Sequence, residues 1–167
     1  LSWQDKPEVK KGDIGEDIVD CILSNMGYSS FKNNDNCSHP IDRIYIHRKT
    51  HDIKVIDVKC KQLRDKYPDT GFPFSNFKVY RDINKAITVE IWFVDCVKGE
   101  IYGNTLDKLK EMKIVNGKTY PSPESNVDGT IIYFPYENMV KYAYLTEEQI
   151  EVIKKVPIKS RFNVLLE

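Results

Sequence analysis

Asp57 and Lys59 stand two residues apart in Val55-Ile56-Asp57-Val58-Lys59, an apolar run of strand character. Side chains at i and i+2 of a strand point to the same face, so a carboxylate and an ammonium are presented side by side. A charged pair inside an apolar strand calls for a reason, because burying unpaired charge is expensive. Asp42 opens the preceding predicted strand, and a hairpin between the two strands would bring its carboxylate close to that of Asp57. Two neighbouring carboxylates make an oxygen-donor site suited to Mg2+, which keeps most of its waters and needs only one or two protein carboxylates. Phosphodiester hydrolysis is a chemistry that such a set serves. A water must lose a proton while negative charge builds on the phosphoryl and leaving oxygens, and a divalent metal meets both demands. Lys59 is placed to orient the attacking water, to hydrogen-bond the scissile phosphate or to help lower the water's pKa.

These side chains need elements to hold them. Residues 12–23 carry apolar side chains at 14, 18, 22 and 21 or 23, which predicts a first helix with one buried stripe. Gly27 sits where a left-handed C-terminal cap belongs. Residues 32–36 are polar and rich in turn formers. Residues 41–47 and 53–60 alternate around a turn at Thr50-His51-Asp52 and predict a hairpin. Residues 75–85 predict a second helix, reached through an irregular approach containing Pro68, Gly71 and Pro73. Residues 86–95 are the strongest strand, nearly continuous in the manner of a central strand covered on both faces. After a Lys98-Gly99 turn come a short strand at 100–103, a brief helix at 106–112, a late strand at 130–134 and a last helix with Thr146 as its N-cap. The Tyr133-Phe134-Pro135-Tyr136 and Tyr142-Ala143-Tyr144-Leu145 runs read as packing between that last strand and last helix, and Phe72, Phe74 and Phe77 as core.

The run His39-Pro40-Ile41-Asp42, a spacer of fourteen residues and then Asp57-Val58-Lys59 resembles the signature of the PD-(D/E)XK nuclease superfamily, which includes restriction endonucleases, Holliday-junction resolvases and several exonucleases. Ile41 separates Pro40 from Asp42, where the shortest form of the motif has them adjacent. Glu16, after Gly12 to Gly15 in the first helix, looks like the acidic residue that many members place upstream, and the order of helix, hairpin and strand is similar to the family core over residues 10–95. The resemblance implies an α/β fold in one domain over 1–167: a mixed central β-sheet flanked by helices, a restriction-endonuclease-like core, with 96–167 as a C-terminal extension. It also implies Mg2+ or Mn2+ held by Asp42 and Asp57, with the carbonyl of Val58 as a further ligand. Glu16 would hold the metal directly or through water, and Lys59 would serve the attacking water. DNA is the implied partner, cut by hydrolysis without a covalent intermediate. A homodimer is the expected unit where two strands are cut.

Charge is divided along the chain. The protein's 25 basic and 25 acidic residues cancel, which counts against a protein that coats nucleic acid over its whole surface. Residues 39–85, however, hold 11 Lys and Arg against 6 Asp and Glu, and the candidate centre falls in that basic half. Lys61, Arg64, Lys78, Tyr80 and Arg81, with Arg43 beside Asp42, are the candidates for nucleic-acid contact, against the plainer reading of a solvated basic face. Lys78 and Tyr80 also match the accessory polar position that many family members carry on the helix after the Asp-x-Lys strand.

Other function classes are disfavoured. No apolar run approaches the roughly 18 residues of a membrane helix. Leu1 to Lys6 show neither an apolar h-region nor a small-residue cleavage site, so no secretory signal is expected. Cys21, Cys37, Cys60 and Cys96 form no C-x-x-C pair and are expected to be reduced thiols in a cytoplasmic protein. His39, His47 and His51 lack zinc-site spacing and are expected at the surface. Two readings stand beside the nuclease: a catalytically inactive module that kept the fold and binds nucleic acid or a protein, and an interaction protein using the acidic C-terminal half. The Asp42, Asp57 and Lys59 set separates them, since binding alone would not need it.

Overall fold

Pro7–Asn25 form helix α1. It starts earlier than the apolar spacing predicts because Pro7 supplies the preset φ that suits a first helical residue. It closes at Gly27, whose φ of 97° is the expected left-handed turn; a Cβ there would lie 2.8 Å from His47 Nε2. The structure, a computed structural model, describes residues 6–33, 39–41, 43–123 and 130–156.

Strand β1 (Tyr28–Lys32) follows, then the expected hairpin of β2 (Arg43–His47) and β3 (Ile53–Lys59), in register with Arg43 opposite Ile56. Next come β4 (Asp69–Pro73), α2 (Phe74–Ile83), the central strand β5 (Val89–Asp95), β6 (Glu100–Thr105) and α3 (Leu106–Leu109). The chain continues through β7 (Lys113–Val115), β8 (Lys118–Tyr120), β9 (Ser122–Pro123), β10 (Ile131–Pro135), β11 (Val140–Tyr144) and α4 (Glu147–Lys154). Thr146 caps α4 with a capping box to Gln149, as its sequence predicts.

The main sheet has the order β1-β2-β3-β5-β6-β11. It is mixed, with β3 and β5 parallel and its other pairs antiparallel. All seven residues of β5 are buried, which is why that strand reads as a continuous apolar run. On one face Val55, Ile91 and Phe93 pack with Phe72, Phe77 and Tyr80, the last two from α2, and with Phe134. On the other, Ile56, Trp92 and Val94 pack with Ile18, Val19 and Leu23 of α1 and Ile153 of α4. The Asp-x-Lys strand is therefore held between helices on both sides.

Several expectations are corrected. Residues 69–73 are a strand paired with β10, not an irregular approach. Gly71, which reads as a breaker, lets Ile132 come so close that a Cβ would lie 1.9 Å from its carbonyl oxygen. Residues 140–144 are an edge strand on β6, bulged between Lys141 and Ala143, and Trp92 stacks on Tyr142 at 4.0 Å. The brief helix α3 stops at Leu109 rather than 112. No helix among the described residues is long and apolar enough to cross a membrane. Cys21, Cys60 and Cys96 are free, and Cys37 lies outside the described residues.

Candidate active site

Among the described residues the pairing of β2 with β3 reaches Arg43–Ile56, while that of β3 with β5 runs on to Lys59–Phe93. Asp57, Val58 and Lys59 are thus carried on the firmly laddered side of β3. Asp57 is 2% exposed, with both carboxylate oxygens buried. Lys59 Nζ lies 2.9 Å from Asp57 Oδ2 and 5.8 Å from the centre of the Tyr80 ring.

Tyr80, on α2, is fully buried. Its hydroxyl donates to the Pro40 carbonyl at 3.3 Å and accepts from Asn76 Nδ2 at 3.4 Å. It was expected at the nucleic-acid surface, and the structure corrects this: a side chain sealed between α2 and the sheet offers no face to a nucleic acid. Its place is beside the charged pair. Burial acts to lower the Lys59 pKa, but the Asp57 carboxylate and the Tyr80 hydroxyl outweigh it and raise the pKa above the ordinary value. Burial and the Asp57 charge push the Tyr80 phenol up as well. Around neutrality Lys59 is therefore an ammonium and Tyr80 a protonated phenol beside Asp57.

Arg43 is also corrected. It is 8% exposed and ties β2 to α1 through Glu16 Oε2 at 3.3 Å, Asp17 Oδ1 at 3.2 Å and Asp20. Its charge is already spent on three carboxylates, so it is a structural clamp. Glu16 is the residue it orients. The two stand on the α1 side, whereas Asp57 and Lys59 point toward α2. Of the four residues expected at the centre, the structure brings Asp57 and Lys59 together and joins Glu16 to Arg43; Asp42 lies outside the described residues.

Helix α1 reaches the end of β3 because Gly15 has no side chain: a Cβ there would sit 3.3 Å from Cys60 Cβ. Gly15→Ala is expected to be near neutral, its tight contact offset by a helix-propensity gain of about 1 kcal/mol. Gly15→Leu is expected to cost about 1–3 kcal/mol through overpacking. Urea unfolding of the two variants checks the contrast.

Past Lys59 the chain is pinned. Lys61 N donates to the Lys59 carbonyl at 3.0 Å, Leu63 N donates to Asp95 Oδ2 at 3.1 Å, and Arg64 grips Asp69 through two bonds of 2.6 and 2.7 Å. Lys61 and Arg64 line a cleft of about 300 Å³. The other two basic candidates stand apart on α2: Lys78 lies 5.9 Å from the centre of the Phe74 ring, and Arg81 is exposed. Sequence reasoning missed Lys11 and Tyr133 at the cleft. Lys11 was findable, one helical turn before Gly15 and on the same side of α1.

Among the described residues no three His, Cys, Asp or Glu side chains are grouped closely enough to hold a metal. The donors present are oxygens, Asp57 foremost, with the main chain of Val58 adjoining. That chemistry fits Mg2+ or Mn2+, which take one or two carboxylates and water, better than Zn2+ with its Cys and His ligands.

By sequence, no protein family and no curated protein matches the chain. By structure it is similar to Hjc, a Holliday junction resolvase from the archaeal hyperthermophile Archaeoglobus fulgidus. The TM-score is 0.52 over 86% of this chain and 96% of that one, at 9% sequence identity. The expected mixed α/β architecture, a central sheet flanked by helices, is thus the fold of that resolvase.

Proposed function

We propose that this chain is a divalent-metal-dependent deoxyribonuclease, an endonuclease whose centre is Asp57, Lys59 and Asp42. The observation that carries the reading is the buried Asp57 carboxylate with Lys59 Nζ 2.9 Å away at the end of β3, in a chain that shares the fold of a Holliday junction resolvase. Fold alone would not assign the chemistry; the pair inside the apolar strand supports it.

In this proposal Asp57, Asp42 and the Val58 carbonyl hold Mg2+ or Mn2+, while Glu16, on the α1 side, is taken by Arg43. Bound there, the metal would supply a more acidic water and neutralise charge on the phosphate. Lys59 orients the water and donates to the phosphoryl oxygens, where a positioned donor counts most as charge develops. Tyr80, buried against Lys59 and bonded to Pro40, keeps the ammonium aimed. Cutting both strands needs two such centres, so a homodimer is the proposed working unit.

The test is incubation with supercoiled plasmid, linear duplex, single-stranded and four-way-junction DNA in Mg2+ or Mn2+, with EDTA as control. Cleavage of at least one form, abolished by EDTA, is expected. Binding without cleavage in either metal would overturn the reading in favour of an inactive DNA-binding module.

A further inference from the structure

We infer that the cleft beside Lys59 is a phosphate subsite, which holds an internal backbone phosphodiester of the strand being cut, next along the strand from the bond that reaches Asp57. This rests on the nuclease reading for its placement of the substrate, but its ligand chemistry stands on the cleft itself.

The cleft gathers cations from three parts of the chain: Lys11 from α1, Lys61 just after β3, and Arg64 from the loop that follows. Thr70 of β4 and Tyr133 of β10 also line it. At about 300 Å³ it lies at the lower end of the roughly 300–1,000 Å³ of ligand pockets. That admits one phosphate with its sugar.

Lys11 and Lys61 are part-buried cations without a counter-charge among the described residues. Arg43, Lys54, Lys59 and Arg64 each have a carboxylate within ion-pair distance. Among the described residues neither Lys11 nor Lys61 does. Lys61 Nζ instead donates to the Gly71 carbonyl at 3.1 Å, which fixes its position but leaves its charge uncompensated. Burial, and then the charge of Lys59, lower its pKa. An anion entering the cleft would relieve both effects.

The walls are built before any ligand arrives. Arg64 is locked on Asp69 and lies 3.6 Å from the centre of the Tyr133 ring, while Asp95 holds the intervening turn at Leu63. Such rigidity reduces the entropy lost on binding. Only Cys60 separates Lys61 from Lys59, so a strand with one phosphate in the cleft can present its neighbour to the charged pair.

The experiment is fluorescence anisotropy with a labelled duplex carrying only 5′-hydroxyl ends, so that every phosphate is internal. EDTA withholds metal, and binding is read without turnover across a range of NaCl. Lys61→Gln and Lys11→Gln, each confirmed folded by its melting curve, are expected to reduce the slope of log K against log salt by about 0.9 apiece. Wild-type slopes in both folded variants would overturn the subsite. Cleavage by the wild-type protein in Mg2+ is scored separately. If it cuts and the slopes are unchanged, the subsite falls and the nuclease stands; if the slopes drop and nothing cuts, the subsite stands and the nuclease falls.

Discussion

Lys59→Met and Asp57→Asn are each expected to lower the single-turnover rate of DNA cleavage by about 10²–10⁴-fold, the range for positioned acid–base groups and charge-stabilising donors. The double variant is expected to lose hardly more than either single one, because groups 2.9 Å apart that act as a unit are strongly non-additive. Stability should behave differently. Lys59→Met deprives the buried Asp57 carboxylate of its ammonium, and breaking a buried pair from one side costs about 3–5 kcal/mol. Asp57→Asn in the same chain removes the stranded charge. The double variant is therefore expected to melt at a higher temperature than Lys59→Met while being no more active. If activity and melting temperature fell together through the series, the pair would be a structural ion pair and no catalytic centre.

The largest effect away from the centre is expected at Asp69. This fully buried carboxylate takes two bonds from Arg64, one of 2.5 Å from the Tyr120 hydroxyl, and lies 3.4 Å from Lys118 Nζ. It joins the loop after β3 to the β7–β8 hairpin. Asp69→Ala leaves Arg64 and Tyr120 without their acceptor and is expected to destabilise the protein by about 3–5 kcal/mol. Burial would raise the Asp69 pKa, but the hydrogen bonds of Arg64 and Tyr120 and the neighbouring cations hold it below the ordinary 3.8. A carboxylate depressed in the folded state contributes its full stability above the unfolded pKa and loses it as pH falls through the folded one. Urea midpoints should therefore drop more steeply for wild type than for Asp69→Asn as the pH is lowered below that of an ordinary carboxylate. Because Arg64 forms a wall of the cleft, Asp69→Ala should also weaken DNA binding.

The side-by-side placement of Asp57 and Lys59 was readable from the chain because strand periodicity puts residues 57 and 59 on one face whatever the tertiary packing. The hairpin, the Gly27 turn and the Thr146 cap were readable for similarly local reasons. The role of Arg43 was not: a cation beside the motif suggests a phosphate contact, and only the approach of α1 shows that Glu16, Asp17 and Asp20 already surround it. Tyr80 was misplaced because helical spacing does not say how completely α2 is pressed onto the sheet. Asp69 sits in Tyr67-Pro68-Asp69-Thr70-Gly71, which has the composition of a turn, and its burial depends on Tyr120, 51 residues further on. The β7–β8 hairpin, by contrast, carries a local signal that the sequence reading overlooked. Asn116-Gly117 supplies two positive φ values, 51° and 77°, as a two-residue hairpin turn requires.

Hydrolysis of DNA by Asp57 and Lys59 with a divalent metal is open to direct test. The most direct measurement is single-turnover cleavage of a labelled DNA at increasing Mg2+, run on wild type, Asp57→Asn and Lys59→Met purified in parallel. A wild-type rate that rises with Mg2+ to saturation, is abolished by EDTA and is lost in both variants is the expected result. Cleavage that persists in Asp57→Asn, or a wild-type protein that binds DNA and leaves it intact at every Mg2+ concentration, would contradict it.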